Sequence, residues 1–402
     1  MVKVVILTQN ATFGCMIAYK NLLPVLLVFA LFLSCRQNAS KYTESIEDIE
    51  KTSVIGVTYA KSFSIENHDG FRVVHVNRPW PGATKSFKYL IVPKEKLAIM
   101  TFPKSAYDAI ITTPIKSLVA TSTTHIPALE SLNALDKLVG FSDTKYISSI
   151  PARKLIAKGK IRELGNNESL NTEMVLELRP DVIVGFGIDD QNSPYKIFQK
   201  ANIPVVYNGD WTEETPLGKA EWLKFFGVLL NKEKEADSLF REIETAYFNI
   251  KELASEAKTR PTVLSGATYK DVWYVPAGDS WAAQFISDAH ANYLYQDTEG
   301  TGSLSLSLES VLEKAQYAEH WVTTSQFTSY KEMEQANNHY LGFKPFQDKN
   351  VYSIGATKGA TGGLLYYELA PQRPDLVLKD LVHLFHPELL PDHTPYFFTP
   401  LH

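Results

Sequence analysis

The chain has 402 residues, 45% hydrophobic and 12% aromatic, which is enough for two domains with cores of their own. Its net charge is −5 with both signs interspersed, and no basic stripe with interleaved aromatics occurs, which argues against a nucleic-acid binder. Two cysteines make neither a disulfide framework nor a cysteine-based metal site, so the fold must rest on its core.

Leu22 to Leu33 is an apolar run interrupted by Pro24. It is short for a membrane span, which needs about 20 apolar residues. It fits the apolar part of a secretory signal, with Lys20 before it and the small Ser34 after it. Leu31-Phe32-Leu33-Ser34-Cys35 resembles a bacterial lipobox, with Phe32 where that motif usually has Leu. The resemblance implies cleavage before Cys35, lipidation of its thiol, and anchoring on the periplasmic side of a bacterial membrane. The competing reading is a plain signal anchor. Met16 to Cys35 is a complete signal by itself, so the start is either Met1 or Met16. Cys15 lies upstream of the cut, and the mature chain keeps only Cys35. Residues 1–34 are thus read as signal peptide and 35–51 as a polar tether.

The rest reads as α/β: two Rossmann-like lobes joined by a single long α-helix, with a β-rich N-terminal lead-in. Val54–Tyr59, Phe71–Val76 and Phe87–Val92 are β-branched or aromatic runs separated by turn residues. From about residue 116 strands and helices alternate, which points to a largely parallel sheet. Ser117–Thr121, Leu138–Phe141, Val182–Phe186 and Val205–Tyr207 are strand candidates. Ile126–Leu135, Thr172–Leu178 and part of Ile188–Ala201 are helix candidates. The longest helical signal keeps Ala236, Leu239, Phe240, Ile243, Ala246, Tyr247, Ile250 and Leu253 on one face, with Asn231 as its N-cap. After Pro261 the alternation resumes with Thr262–Ser265, Val272–Val275, His320–Thr324 and Val351–Ser353, and Asp375–Phe385 closes the fold as a helix. The boundaries are an N-terminal lobe at 52–230, the linking helix at 231–258, and a C-terminal lobe with its tail at 259–402.

Ser169–Glu177 returns in similar form as Ser305–Glu313, each copy running into a strand-like segment. Two related lobes would each carry a glutamate, Glu173 and Glu309, at the same place. Such a pair of acidic knobs suits a two-fold symmetric partner. An acidic residue in a first helical turn also stabilises that helix through its dipole, and both roles are compatible.

Other motifs carry less. Gly185-Phe186-Gly187 lacks the third glycine of a dinucleotide loop, and Gly355 to Gly363 lacks a P-loop ending. Gly278-Asp279-Ser280 is no nucleophile elbow. His383, His386 and His393 cluster at a helix end, where the dipole accounts for them, and they are not read as a metal site.

Two α/β lobes, one long helix and a lipid anchor together resemble the substrate-binding lipoproteins of ABC importers for iron–siderophore, haem and cobalamin. The resemblance covers nearly all of the mature chain. It is carried by Ser117 to Asp143, closing on Leu-Val-Gly-Phe-Ser-Asp, and by Glu173 to Val184 with Arg179-Pro180-Asp181-Val182-Ile183. Thr215 to Trp222, Arg373 to Leu378 and His386-Pro387-Glu388 complete it. It implies a monomeric binding protein with no cofactor and no catalysis, whose ligand is an iron chelate, haem or corrinoid. Its partner would be an ABC permease dimer, met by Glu173 and Glu309. The ligand would sit between the lobes, at the C-terminal ends of the strands. That makes Thr123, His125, Trp211, Tyr269, Trp273, Tyr274, Trp281 and Phe327 the binding candidates, although an aromatic in an α/β domain is usually core. The competing class is a lipid-anchored α/β enzyme, hydrolase-like, acting on a bulky substrate.

Overall fold

The computed structural model describes residues 56–189 and 192–402. The signal peptide, Cys35 and the tether lie outside the described residues, as do Val54 and Ile55. Among the described residues no helix is long and apolar enough to cross a membrane.

The chain starts with a four-stranded sheet in sequence order, β1 (Phe63–His68), β2 (Phe71–Val76), β3 (Phe87–Pro93) and β4 (Ala109–Thr113). Pairing is antiparallel up to β3 and parallel between β3 and β4. Alternation along β2 gives the sheet two apolar faces. Val74 and Val76 join the core of the first lobe, while Phe71 and Val73 join a small outer core with Leu90, Val92 and Tyr107. The predicted strand Val54–Tyr59 is corrected in its described part, Gly56 to Tyr59, which is not a strand. Its backbone is held by side chains instead of a neighbouring strand. The Glu221 carboxylate accepts from the N–H groups of Thr58, Tyr59 and Ala60 at 2.7–3.0 Å, and Glu213 accepts from those of Lys61 and Ser62 at 2.8–2.9 Å.

The first lobe is a parallel five-stranded sheet of β5 (Leu118–Ala120), β6 (Leu138–Phe141), β7 (Arg162–Glu163), β8 (Val182–Gly185) and β9 (Val205–Tyr207), in the order β7-β6-β5-β8-β9. β5, β8 and β9 are buried throughout, as strands covered on both faces must be, and so read as unbroken apolar runs. The second lobe repeats the plan with β10 (Thr262–Ser265), β13 (Asn292–Tyr293), β15 (His320–Thr323), β16 (Val351–Ser353) and β17 (Thr399–Pro400), in the order β13-β10-β15-β16-β17. Only β17 runs antiparallel in this sheet. A separate antiparallel sheet holds β11 (Ala267–Tyr269), β12 (Val272–Pro276) and β14 (Ser303–Leu306).

The sequence repeat falls at equivalent places. Helices Thr172–Leu178 and Leu308–Ala315 lead into β8 and β15, and each of those strands pairs with the first parallel strand of its lobe, β5 or β10. Each helix opens with an N-cap that accepts a backbone hydrogen bond, Asn171 from Met174 and Ser307 from Ser310. Glu173 and Glu309 follow two residues after these caps, and both are exposed.

The linking helix runs Glu233–Ser255, 23 residues or about 34 Å. Its buried stripe is Ala236, Phe240, Ile243, Tyr247 and Ala254. Ala236 belongs to the first lobe's core and Tyr247 and Ala254 to the second's, so one face of one helix serves both. Each large side chain on that stripe contributes about 1.5–3 kcal/mol by leaving water. The Tyr247 hydroxyl donates to Asp288 at 2.6 Å, and Lys251 pairs with the same carboxylate at 2.8 Å. Asn231 is corrected from N-cap to left-handed C-cap of the preceding helix Leu223–Leu230, with φ 57°. That helix crosses the linker at Gly227, where a Cβ would stand 2.6 Å from that of Ala236. The short side chain of asparagine suits the left-handed position as well as an N-cap, which is why the sequence alone misassigned it.

The C-terminal helix Pro374–Phe385 packs along the linker and anchors the tail. The fully buried Asp380 carboxylate accepts from the N–H groups of Tyr396, Phe397 and Phe398 and pairs with His393 at 2.8 Å. His383 and His386 meet the carbonyls of Leu390 and Ala289. Among the described residues no group of His, Cys, Asp or Glu is arranged to hold a metal ion.

Candidate functional site

Strand order places the crevices. In the first lobe the chain moves outward from β5 to one side and then returns to the other at β8, so the loops leaving β5 and β8 diverge. β10 and β15 do the same in the second lobe. A cavity of about 650 Å3 lies beyond β5, β6 and β8, lined by Thr121–Thr123, Ser142, Asp143, Tyr146, Asn166–Glu168, Phe186 and Ile188. Gln326, Gly362, Leu364 and Tyr367 of the second lobe close it. A second cavity, about 660 Å3, lies beyond β10 and β15, with Tyr269, Tyr274, Trp281, Thr324, Ser325 and Tyr366 in its wall. Gln326 and Tyr367 line both, so the two cavities meet in one cleft between the lobes.

The loops of the first cavity are pre-organised. Thr121 Oγ1 accepts from Phe186 N at 2.8 Å and lies 3.0 Å from the Tyr195 hydroxyl, which donates to Asn167 Oδ1 at 2.8 Å. Asn167 Nδ2 donates back to the Phe186 carbonyl at 3.1 Å, and Ser142 Oγ donates to the Thr121 carbonyl at 3.2 Å. Glu163 ties the loop after β6 by accepting from Asp143 N, Thr144 N, Thr144 Oγ1 and Gly165 N. Burial works against its ionisation, but these hydrogen bonds outweigh burial and hold it below the usual carboxylate range.

Beside the cleft a polar seam joins the lobes. Glu368, almost fully buried on the second lobe, accepts from Ser148 N at 2.5 Å and Ser149 N at 2.8 Å on the first. Ser149 is the N-cap of helix Ile150–Ala157, so the carboxylate caps a helix of the opposite lobe. Ser148 Oγ donates to the Gly363 carbonyl, Thr361 Oγ1 to the Lys145 carbonyl, and Gln372 Nε2 to Ser131 Oγ. At Gly363 any Cβ would stand 2.1 Å from the Tyr146 carbonyl oxygen, so the seam closes only over glycine. Burial pushes the Glu368 carboxyl up to about 7 against the pull of its hydrogen bonds. A third cavity, about 890 Å3, lies along this seam and shares no lining residue with the cleft.

The anticipated ligand contacts divide. Thr123 lines the first cavity, and Tyr269, Tyr274 and Trp281 line the second. Trp211 is exposed beside Phe186, with ring centroids 5.3 Å apart. Phe327 is half-buried against the second core and lines neither cavity. Trp273 is corrected to a core residue. It is fully buried, stacks on Trp321 at 5.1 Å and donates Nε1–H to the Ser265 carbonyl. Neighbouring side chains on a strand face opposite ways, so Tyr274 outward puts Trp273 inward. His125 is corrected too. It is fully buried, with Phe226 5.5 Å away, and burial lowers its pKa to about 4, although the Asp210 charge raises it. Ser280 caps helix Trp281–Asp288 by accepting from Ala283 N. Sequence reasoning missed Tyr146, Asn166–Glu168, Gln326 and Tyr367. Asn166–Glu168 follow β7, whose two residues are too few to show a strand period.

Residues 118–357 match the family model described as periplasmic binding protein, more than half of the chain. The chain belongs to that family. The periplasmic binding protein fold is borne out in solved structures as well. The chain resembles a possible iron-binding, periplasmic solute-binding protein from Staphylococcus epidermidis, with TM-score 0.54, 19% identity, and 68% of this chain and 99% of that one covered. It also resembles a periplasmic haem-binding protein of Vibrio cholerae, with TM-score 0.51, 17% identity, and 65% and 99% covered. An uncharacterised lipoprotein of Methanocaldococcus jannaschii is 25% identical over 383 residues, 90% of this chain and 89% of that protein. The sheet β1–β4 precedes the region matched by the family model. The family is one of periplasmic binding proteins.

Proposed function

We propose that this periplasmic binding protein captures an iron chelate, haem or corrinoid in the cleft between its lobes and hands it to an ABC permease dimer. In this reading it acts as a monomer, Glu173 and Glu309 are the two permease contacts, and a lipid on Cys35 holds it at the membrane. The observation that carries the reading is the meeting of two cavities at Gln326 and Tyr367, each at the strand ends of its own lobe. Their walls are rich in exposed aromatic rings, among them Tyr146, Tyr269, Tyr274 and Tyr367, which suit a large flat or greasy ligand. Equivalent exposure of Glu173 and Glu309 on equivalent helices is what a two-fold partner requires.

Trp281 in the wall and Trp211 beside it are natural reporters. Titration with ferric hydroxamates, ferric catecholates, haemin and cyanocobalamin should give a saturable one-to-one change in tryptophan fluorescence with one of them, and no turnover. Consumption of any probe, or a flat response to all of them, would overturn the reading.

A further inference from the structure

The cleft has an uneven charge chemistry. Among the described residues that line its two cavities there is no Lys, Arg or His. The charged side chains in its wall are Asp143 and Glu168, both in the first cavity. Nearby cations stand behind or beside the wall and are already engaged there. Lys145 pairs with Asp143 at 3.1 Å and lies against the Tyr146 ring, Lys270 lies over the Tyr269 ring, and Lys219 is buried behind Trp281, with Nζ held by the carbonyls of Asp210 and Trp211. Arg153, Lys154 and Lys358 line the separate cavity along the seam.

The second cavity is uncharged and aromatic, and it contains a buried hydroxyl, Ser325 Oγ, with no hydrogen-bond partner. A buried polar atom left unpaired is costly, so it marks where a ligand's polar group can be received. The Gln326 amide, exposed where the two cavities meet, adds both a donor and an acceptor.

We infer that the cleft selects an uncharged or cationic chelate or macrocycle with an amide- or hydroxyl-bearing rim, and rejects chelates that present anionic groups. The inference rests on the cleft being the ligand site. An anionic rim would find no guanidinium or ammonium among the described lining residues; the Lys145 ammonium beside Asp143 is already paired with it, and the Glu168 carboxylate would repel the rim in a partly dehydrated space. An amide rim instead finds hydroxyls, amides and carboxylates, all able to accept its N–H groups.

The test uses the purified full chain in detergent and two sets of probes. Ferrichrome, ferrioxamine B and cyanocobalamin present no net anionic rim. Haemin and a ferric tris-catecholate present carboxylates and a multiply anionic complex. The tightest probe of the first set should bind at least on the order of ten-fold more tightly than either of the second, by tryptophan fluorescence and calorimetry. In the double variant Asp143→Asn with Glu168→Gln that ratio should shrink several-fold, with circular dichroism confirming the fold. An anionic probe binding as tightly as the best uncharged one, or a ratio unchanged in the double variant, overturns the charge rule and leaves the cleft as the ligand site. Binding by no probe of either set overturns the cleft reading and the charge rule with it.

Discussion

Glu368 makes the seam between the lobes sensitive to pH, and the size of the effect follows from its surroundings. Burial pushes its carboxyl up to about 7, whereas a glutamate in an unfolded chain titrates near about 4.3. Each ten-fold in acidity is about 1.4 kcal/mol, so the separation amounts to about 4 kcal/mol, of which about 3 kcal/mol is lost between about pH 4.5 and pH 7. A carboxyl whose folded-state pKa is raised stabilises the fold fully below its unfolded pKa, and that stabilisation is lost as pH rises through the folded one. The contribution of Glu368 should therefore fall by about 3 kcal/mol between about pH 4.5 and pH 7. His125 and His320 act in the opposite sense. Burial lowers each to about 4, so their contribution is present above the ordinary histidine pKa and is lost as pH falls. The total pH profile mixes these terms, and the difference between wild type and Glu368→Gln isolates the glutamate. The assay is urea unfolding followed by tryptophan fluorescence and near-ultraviolet circular dichroism, in half-unit steps from pH 4.5 to 8. Glutamine loses one acceptor toward Ser148 or Ser149, so the variant should be less stable at acid pH, and its profile should lack the decline seen in wild type. Parallel profiles across that window would refute the buried, interlobe assignment of the carboxyl.

Three further outcomes are expected. Glu221→Ala leaves the N–H groups of Thr58, Tyr59 and Ala60 without an acceptor and the buried Lys224 ammonium with Asp237 as its remaining carboxylate, at 3.4 Å, which should cost about 2–4 kcal/mol and open the chain around Lys61 to trypsin. Unchanged urea midpoints with no new cleavage would contradict this. Reversing Glu173 or Glu309 to Arg should cut ligand uptake at least ten-fold in a transport assay while ligand affinity holds, and both together should nearly abolish it; affinity falling in step with uptake would move these residues into the ligand site. Cys35→Ala should release the protein from membranes and abolish labelling by radioactive fatty acid, whereas equal retention without label in either form would rule out the lipid.

Much of the architecture follows from the sequence alone. Strands such as β8 are unbroken apolar runs, and the linking helix repeats its apolar face every three or four residues over more than six turns. Signals of that kind are local and long, so periodicity suffices to find them. The repeat around Glu173 and Glu309 was equally plain, because a cap, an acidic first turn and a following strand are set by neighbours in the chain. Short or context-bound features did not show. β1 has weak alternation, β7 and β13 have two residues each, and the run at Val54–Tyr59 ends in backbone held by glutamates more than 150 positions away. The site divides along the same line. Loop residues such as Thr123 could be placed at a strand end from their position, but Trp273 and His125 could not be told from ligand contacts until packing showed which way each side chain faces. Tyr146, Gln326 and Tyr367 come together from three segments far apart in the chain, with Gly363 allowing the close approach to the Tyr146 carbonyl. The sequence determined the elements and the two-lobed plan, since these depend on interactions within a few residues. Tertiary structure decided the cleft, the lack of cations among its described lining residues and the buried Glu368 seam, because these are sums over residues that the chain brings together only after both lobes have formed.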